Sequence, residues 1–229
     1  MVDAYPVFVF IHILLFVAWL GGDIGVFILG QHFRRRSYSL ETRLVLLKLL
    51  VLNDMAPRTA WALMVPVSIT LLALGNWAAV PGWAVALSWL TGAVWLALVW
   101  SAYLNDRTPL AARLRRLELG LKCLLTLVYL VLGLAALAGL EGPELPGWLS
   151  AKALLFAVIF AAAIMIDAAY KPVGPLLMQL LEKGSSDGTE EPLLRAMNRT
   201  RVWVLMLYGL LVVTAALGTL KPDFALPGA

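Results

Sequence analysis

The chain has 229 residues, of which 62% are hydrophobic and 14% charged, and its mean hydropathy is +0.87. Soluble domains are nearer to half apolar and a quarter charged, so this composition indicates an integral membrane protein. The formal net charge of +4 does not indicate nucleic-acid binding, because the positive residues are sorted by membrane side. A single cysteine, Cys123, excludes an intramolecular disulfide.

Six apolar segments, separated by polar or Gly/Pro-rich connections, predict six membrane-spanning helices. About 20 apolar residues suffice for a helix to cross a bilayer. The first segment lacks a basic region and a small-residue cleavage site, so we expect a retained helix rather than a signal peptide. The predicted spans are residues 6–30, 58–75, 82–104, 117–140, 147–169 and 200–220. The fold is therefore predicted to be one all-α transmembrane domain over residues 1–229.

Lysine and arginine are unevenly distributed between the connections. Apart from Lys152 and Lys221, all of them lie in, or just inside the ends of, the connections between spans one and two, three and four, and five and six. By the positive-inside rule these connections face the cytoplasm and both termini lie outside. We therefore expect a multi-pass protein of the bacterial inner membrane with periplasmic termini.

The cytoplasmic connections are predicted to contain local structure of their own. Residues 40–52 (LETRLVLLKLLVL) and 172–183 are expected to form amphipathic helices at the membrane surface. Residues 184–191 (GSSDGTEE) are expected to form a flexible loop.

The first span carries ionisable residues at membrane depth, where they are costly and mark candidate functional sites. Four of its side chains share one helical face: His12, Phe16, Trp19 and Asp23. Imidazole is a common ligand of metals and of haem iron, so His12 is a candidate ligand, with Trp19 and Phe16 lining an apolar cofactor slot. The alternative is that His12 only hydrogen-bonds to a neighbouring helix.

Lys152 lies at the same outer depth as His12, near the start of the fifth span. A lysine at a helix end commonly extends its ammonium group to the lipid headgroups. Alternatively, Lys152 pairs with a carboxylate of a porphyrin or another substrate, or donates a proton.

A second polar group lies near the predicted cytoplasmic ends of the spans: Asp23, Arg58, Lys122, Asp167 and Arg201. We expect the two aspartates to neutralise the two arginines across helix contacts, because buried charges require partners. Asp54 and Arg58 are also spaced as an i,i+4 pair. The alternative is a proton route from the cytoplasm. Asp23 is roughly 16 Å along the helix from His12, so the two groups form two sites or one pathway.

Several methionines in the spans offer soft thioether ligands for Cu(I), although methionines in helices are more often packing residues. They are Met55, Met64, Met165, Met197 and Met206.

Two stretches resemble a known family. The segment IHILLFVAWLGG (11–22) is similar to the first helix of the CopD-like membrane proteins and of the related HemJ-type protoporphyrinogen oxidases. The segment PGWLSAKALLFAVIFAAAIMIDAAYKP (146–172) resembles a later helix that opens on a Gly-Trp-Leu-x-x-Lys pattern, and residues 193–218 resemble the closing helix.

The resemblance implies specific roles. In HemJ-type enzymes the matching histidine is regarded as a haem b ligand and the matching lysine as essential, which points to His12 and Lys152. CopD-like proteins are associated with copper uptake across the inner membrane. The chain departs from both patterns, since Ile166–Asp167 stand where HemJ-type sequences carry a Tyr-His pair, and the His/Met-rich outer face of CopD proteins is missing.

We therefore expect a haem b-binding redox protein that exchanges electrons with a porphyrinogen-like or quinol substrate near the periplasmic face. His12 would be the axial metal ligand, and Trp19 and Lys152 would complete the cofactor site. Lys152, Asp23 and Arg58 are the candidate catalytic residues. Two alternatives stay open: a transporter of copper or another cation, and a non-catalytic subunit or assembly factor. Either way, a homo-oligomer or a larger membrane complex is a possible assembly, and no nucleic-acid partner is expected.

Overall fold

A computed structural model of the protein describes residues 3–139 and 145–222. Within those ranges the chain is helical and contains no strand. The helices are α1 (Ala4–Phe33), α2 (Leu40–Asn53), α3 (Met55–Leu74), α4 (Gly82–Leu104), α5 (Pro109–Leu137), α6 (Gly147–Tyr170), α7 (Val173–Lys183) and α8 (Asp187–Leu220).

Six helical segments are long and apolar enough to cross a membrane, as predicted. Two of them, Leu40–Leu74 and Gly147–Lys183, join a short helix to a long one. Each predicted span corresponds to one long helix, and the bounds of the third span match α4 residue for residue. Leu140, the last residue of the fourth predicted span, lies outside the described residues. The chain is an all-α multi-pass membrane protein, while the sidedness of its termini stays a prediction.

The last helix begins earlier than predicted, so the expectation of a flexible loop over residues 184–191 is wrong for its second half. Ser186 and Thr189 exchange hydrogen bonds between side chain and backbone, which caps the start of α8. Glu190 is fully buried, with Oε1 2.6 Å from Nη1 of Arg43 and Oε2 3.1 Å from Nη2. This ion pair joins distant parts of the chain, so the local composition of the segment could not reveal it.

The helix α2 is not the amphipathic surface helix predicted for residues 40–52. Leu46 and Leu47 pack against an apolar cluster made of Phe33, Val173, Leu180 and Leu193. Its other side exposes further apolar side chains: Val45, Leu49 and Leu52. Glu41 and Lys48 are exposed among these apolar residues, so α2 has no separate polar face, and it runs on into α3 as one long apolar segment.

Helices that follow one another along the chain pack side by side in the bundle. α1 packs on α3, α3 on α4, α4 on α5, α5 on α6, and α6 on α8. One apolar core draws residues from all six long helices, and aromatic rings dominate it: Trp19, Trp61, Trp95, Phe156 and Phe160. We call the end at which α1 ends and α8 begins the arginine-rich end, after Arg34, Arg36, Arg43 and Arg195.

The helices α5 and α6 cross closely because Gly133 has no side chain. A β-carbon at this position would lie 2.6 Å from Cγ and 3.1 Å from the backbone nitrogen of Leu154. Small residues at helix crossings are a main source of packing in membranes, where no hydrophobic effect drives helices together. By contrast, Gly120 on the same helix faces open space.

We expect Gly133→Ala to destabilise the protein by about 1–3 kcal/mol, because the added methyl group meets the backbone of α6 and the two helices must separate. Gly120→Ala is the matched control on the same helix. It should leave stability unchanged or raise it by up to about 1 kcal/mol through helix propensity. Thermal unfolding in detergent, followed by circular dichroism, compares the two. Equal unfolding temperatures would contradict the close crossing.

Candidate functional site

Five charged side chains from three helices come together, of which Glu118 and Lys122 are buried and Asp167 is 43% exposed. Asp54 immediately precedes α3, and Arg58 lies on its first turn. Glu118 and Lys122 are one turn apart on α5 and are only 6% and 3% exposed. Asp167 lies on the last turn of α6. We call these five side chains the ionic cluster.

The two cations of the cluster bridge its three carboxylates. Nε of Arg58 donates to Oδ2 of Asp54 over 2.5 Å. The other guanidinium nitrogens of Arg58 lie 3.8 Å from Oε1 of Glu118 and 4.0 Å from Oδ1 of Asp167. Nζ of Lys122 is 2.9 Å from both Glu118 Oε1 and Asp167 Oδ2. The two buried charges, Glu118 and Lys122, therefore have counterions, as a low-dielectric interior requires.

A cavity of about 70 Å³ adjoins the ionic cluster. Its polar lining comes from Asp23, Asp54, Arg58, Lys122 and Asp167. At roughly 10–15 Å³ for each water, this space holds several water molecules. Within residues 3–139 and 145–222, Asp23 makes no ion pair. With Glu118 counted, four carboxylates and only two cations surround this region.

The backbone around Asp23 is held by neutral contacts from three helices. The hydroxyl of Tyr208 on α8 donates to the backbone carbonyl of Asp23 over 2.5 Å. Nδ2 of Asn53 donates to the carbonyl of Gly22 over 2.8 Å. A β-carbon on Gly22 would lie 2.8 Å from Cδ of Pro57, so the glycine allows α3 to approach α1 here. The position of Asp23 thus does not depend on a counterion.

An aromatic layer covers the cluster on the side away from the arginine-rich end. It consists of Trp19, Trp61, Trp95, Tyr129, Phe156 and Phe160. Trp19 and Trp61 stack with ring centroids 5.3 Å apart, and the Trp61 and Phe160 centroids are 4.9 Å apart. Nζ of Lys122 lies 5.4 Å from the centroid of Trp61, so a cation–π contact joins layer and cluster.

His12 and Lys152 lie beyond the aromatic layer, toward the opposite end of the bundle, and form what we call the outer pair. Nδ1 of His12 is buried and has no hydrogen-bond partner among the described residues. Nζ of Lys152 points toward α8, where a β-carbon on Gly218 would lie 2.5 Å from it. The His12 and Lys152 side chains are close enough for their charges to interact. The sequence placed both residues at the same depth from the outer ends of their helices, and this was the only indication that they lie near each other.

The structure divides the predicted site residues between two separate places. Asp23, Arg58 and Trp19 line the cavity, whereas His12 and Lys152 form the outer pair. Lys152 therefore lies apart from Asp23 and Arg58. Trp19 stacks on Trp61 over the cluster rather than lining a slot beside His12.

The prediction that Asp23 and Asp167 neutralise both arginines is wrong for Arg201 and for Asp23, which makes no ion pair among the described residues. Arg201 is exposed and makes no ion pair with the described residues, and Asp167 instead pairs with Arg58 and Lys122. The physical reason is the rotation of α8 about its axis. Leu207 and Leu211 face the core, and Arg201 lies on a different side of the helix.

Glu118 is the site residue that sequence reasoning missed. It is buried, bonds to Lys122 four residues later, and accepts a 3.5 Å hydrogen bond from Nε1 of Trp95. The available signal was the i,i+4 carboxylate–lysine spacing at the start of an otherwise apolar segment.

These observations define a multi-pass membrane protein with a buried ion-pair cluster, a small polar cavity and a separate outer pair. Comparisons with family models, with curated proteins and with solved structures find no match. The resemblance to CopD-like and HemJ-type proteins therefore stays a prediction. Within the part of the chain that the structure describes, no group of three or more His, Cys, Asp or Glu residues is placed to hold a metal ion.

We expect Lys122→Met to destabilise the protein by about 3–5 kcal/mol, because it leaves Glu118 and Asp167 close together with too little positive charge. The double variant Lys122→Met/Glu118→Gln should recover part of this loss, since it restores the charge balance. Denaturant unfolding in detergent measures both.

Lys183→Met is the matched control, because this lysine is exposed at the end of α7. It should change stability by no more than about 0.5 kcal/mol. A similar effect for Lys122→Met and Lys183→Met would show that the cluster contributes little to stability.

Proposed function

We propose that this protein carries protons across a bacterial inner membrane, with the cavity beside the ionic cluster as the proton-loading site. Its arginine-rich end faces the cytoplasm in this proposal. The supporting observation is the surplus of carboxylates around the cavity, where four acidic side chains meet two cations. Ionisable side chains inside membrane bundles commonly mark ion pathways and proton relays.

Asp23 is the best candidate for the group that binds and releases the proton. It lines the cavity and makes no ion pair within the described ranges, in contrast to Asp54 and Asp167. In a low-dielectric bundle, a carboxylate without a counterion is neutralised most cheaply by a proton. Water in the cavity would connect it with Asp54 and Asp167.

The outer pair is the natural recipient beyond the aromatic layer. Imidazole and amine groups both accept protons, and His12 and Lys152 lie close together. Stacked rings lie between the two places, and in this proposal they block a continuous water chain. Transfer therefore requires the aromatic side chains to rearrange, so the proposal is a gated carrier rather than an open pore.

The proposal predicts that purified protein in vesicles dissipates an imposed pH gradient, read from an enclosed pH-sensitive dye with a potassium–valinomycin clamp. Asp23→Asn should slow this flux by about tenfold or more, because the amide occupies the same space but cannot exchange a proton. Thermal unfolding of the variant would establish that it is folded.

Asp106→Asn is the control, because that carboxylate is exposed and, among the residues that the structure describes, pairs only with Arg107 and Arg115. It should leave the flux unchanged. If vesicles with the unaltered protein lose their gradient no faster than empty vesicles, proton transport is not the function.

Electron transfer through bound haem b is a second candidate, and a specific observation favours it. The buried Nδ1 of His12 has no partner in the described part of the chain and is available to iron, and the ammonium of Lys152 suits a propionate. Leu15, one turn from His12, lines an apolar groove of about 450 Å³ between α1, α3 and α4. Such a groove has room for a quinol ring. Copper transport has no comparable support, because Met55 and Met64 pack in the apolar core.

The redox candidate predicts a b-type reduced-minus-oxidised absorption spectrum after expression with a haem precursor. His12→Ala should abolish it, because the iron loses its ligand, whereas His32→Ala should not. His32 lies at the arginine-rich end, where its Nδ1 forms a 3.0 Å hydrogen bond with the hydroxyl of Tyr38. A colourless protein with a negative pyridine haemochrome assay would remove this candidate.

A further inference from the structure

Arg34 and Arg201 come together at the arginine-rich end, where α1 and α8 meet. Arg34 directly follows α1, and its Nη2 donates to Oδ1 of Asn198 on α8 over 2.5 Å. Its Nη1 donates to Oε1 of Gln31 over 3.2 Å. Arg201 follows Asn198 by one turn and is close enough to Arg34 for their like charges to interact.

These two guanidinium groups lack a carboxylate partner within residues 3–139 and 145–222, as do Arg35 and Arg199 at the same end, whereas Arg36 and Arg195 have one. Arg36 pairs with Asp187, and Arg195 pairs with Glu191. Burial and the neighbouring Arg201 lower the pKa of the Arg34 guanidinium. Both causes disfavour the charged form, so the arrangement as it stands is electrostatically unfavourable. An anion between the two arginines would instead stabilise the charged form of both guanidinium groups.

Exposed apolar side chains lie on the turns of α1 and α8 that lead away from the two arginines, and we call them the apolar seam. Its members are Ile24 and Ile28 on α1, and Val202 and Leu205 on α8, with exposures between 43% and 65%. The helices are joined further along by Tyr208, whose ring lies 6.2 Å from that of Phe27. In a membrane, this seam faces acyl chains, and the arginines lie where the phosphates of the lipid begin.

We propose that this seam binds one anionic glycerophospholipid, whose phosphodiester oxygens accept hydrogen bonds from Arg34 and Arg201 and whose acyl chain lies along the seam. A guanidinium group has five N–H donors, and the contacts to Asn198 and Gln31 leave donors of Arg34 free for a phosphate. A lipid supplies the missing negative charge and covers the exposed isoleucine, valine and leucine side chains together. Inorganic phosphate would supply only the charge.

The test is native mass spectrometry of the full-length protein in detergent, titrated with phosphatidylglycerol or with phosphatidylcholine. The unaltered protein should retain phosphatidylglycerol far better. The variant Arg34→Gln/Arg201→Gln should lose about 30-fold in affinity for it, as expected for two lipid contacts by arginine. Arg34→Lys/Arg201→Lys should recover part of the binding, because it restores the charge without the planar fork.

The matched control is Arg36→Gln/Arg195→Gln, which removes the same charge from the same end but from arginines that have carboxylate partners. It should keep phosphatidylglycerol binding within about threefold, since screened charges outside the seam contribute little. Equal losses in the two double variants would overturn the site, because they would mean only general attraction to a basic surface.

Competition with inorganic phosphate shows whether the site binds a whole lipid or only a phosphate group. Phosphate at millimolar concentration should fail to displace phosphatidylglycerol, because it cannot occupy the apolar seam. Full displacement would overturn the lipid assignment in favour of a simple phosphate site. Thermal unfolding of every variant checks that it is folded. The binding assay does not measure proton flux, so this proposal and the proposed function can fail separately.

Discussion

Buried charges must be neutralised inside a low-dielectric bundle, and this requirement fixes how three of the helices pack. Lys122 is 3% exposed and lies 2.9 Å from one carboxylate on its own helix and from another on α6. Sliding α6 by one residue, about 1.5 Å, would weaken the second contact and leave the ammonium group with a single partner. The ionic cluster therefore sets the register of α3, α5 and α6, and the aromatic layer that rests on it follows the same register.

The position of α1 is set by a different kind of contact. Gly22 admits Pro57, and the carbonyls of Gly22 and Asp23 accept hydrogen bonds from Asn53 and Tyr208. These contacts are neutral and involve the α1 backbone only. Asp23 is consequently held in place whether or not its carboxylate carries a charge. Such an arrangement suits a titrating group, because proton binding does not have to break the contacts that position it.

The sequence was sufficient for the helical spans, because a bilayer demands long apolar segments and tolerates few exceptions. It also predicted that Asp167 lies at the depth of Arg58 and His12 at the depth of Lys152, since depth along a helix can be counted from its ends. It misplaced Arg201, because depth does not fix the rotation of a helix about its axis.

The sequence did not predict the start of α8, and the reason is different. The ion pair between Glu190 and Arg43 joins segments far apart in the chain, and a local pattern cannot contain such a contact. The bundle closes where α1 meets α8, and there the contact is made by side chains such as Tyr208 and Phe27. The other neighbouring helix pairs pack more extensively. Opening a bundle costs least where few contacts have to break, so this seam is where water would gain access to Asp23. A lipid phosphate that bridges Arg34 and Arg201 at the end of the same seam would hold it closed. Lipid binding and the loading of Asp23 would then be linked through one helix contact, each opposing the other.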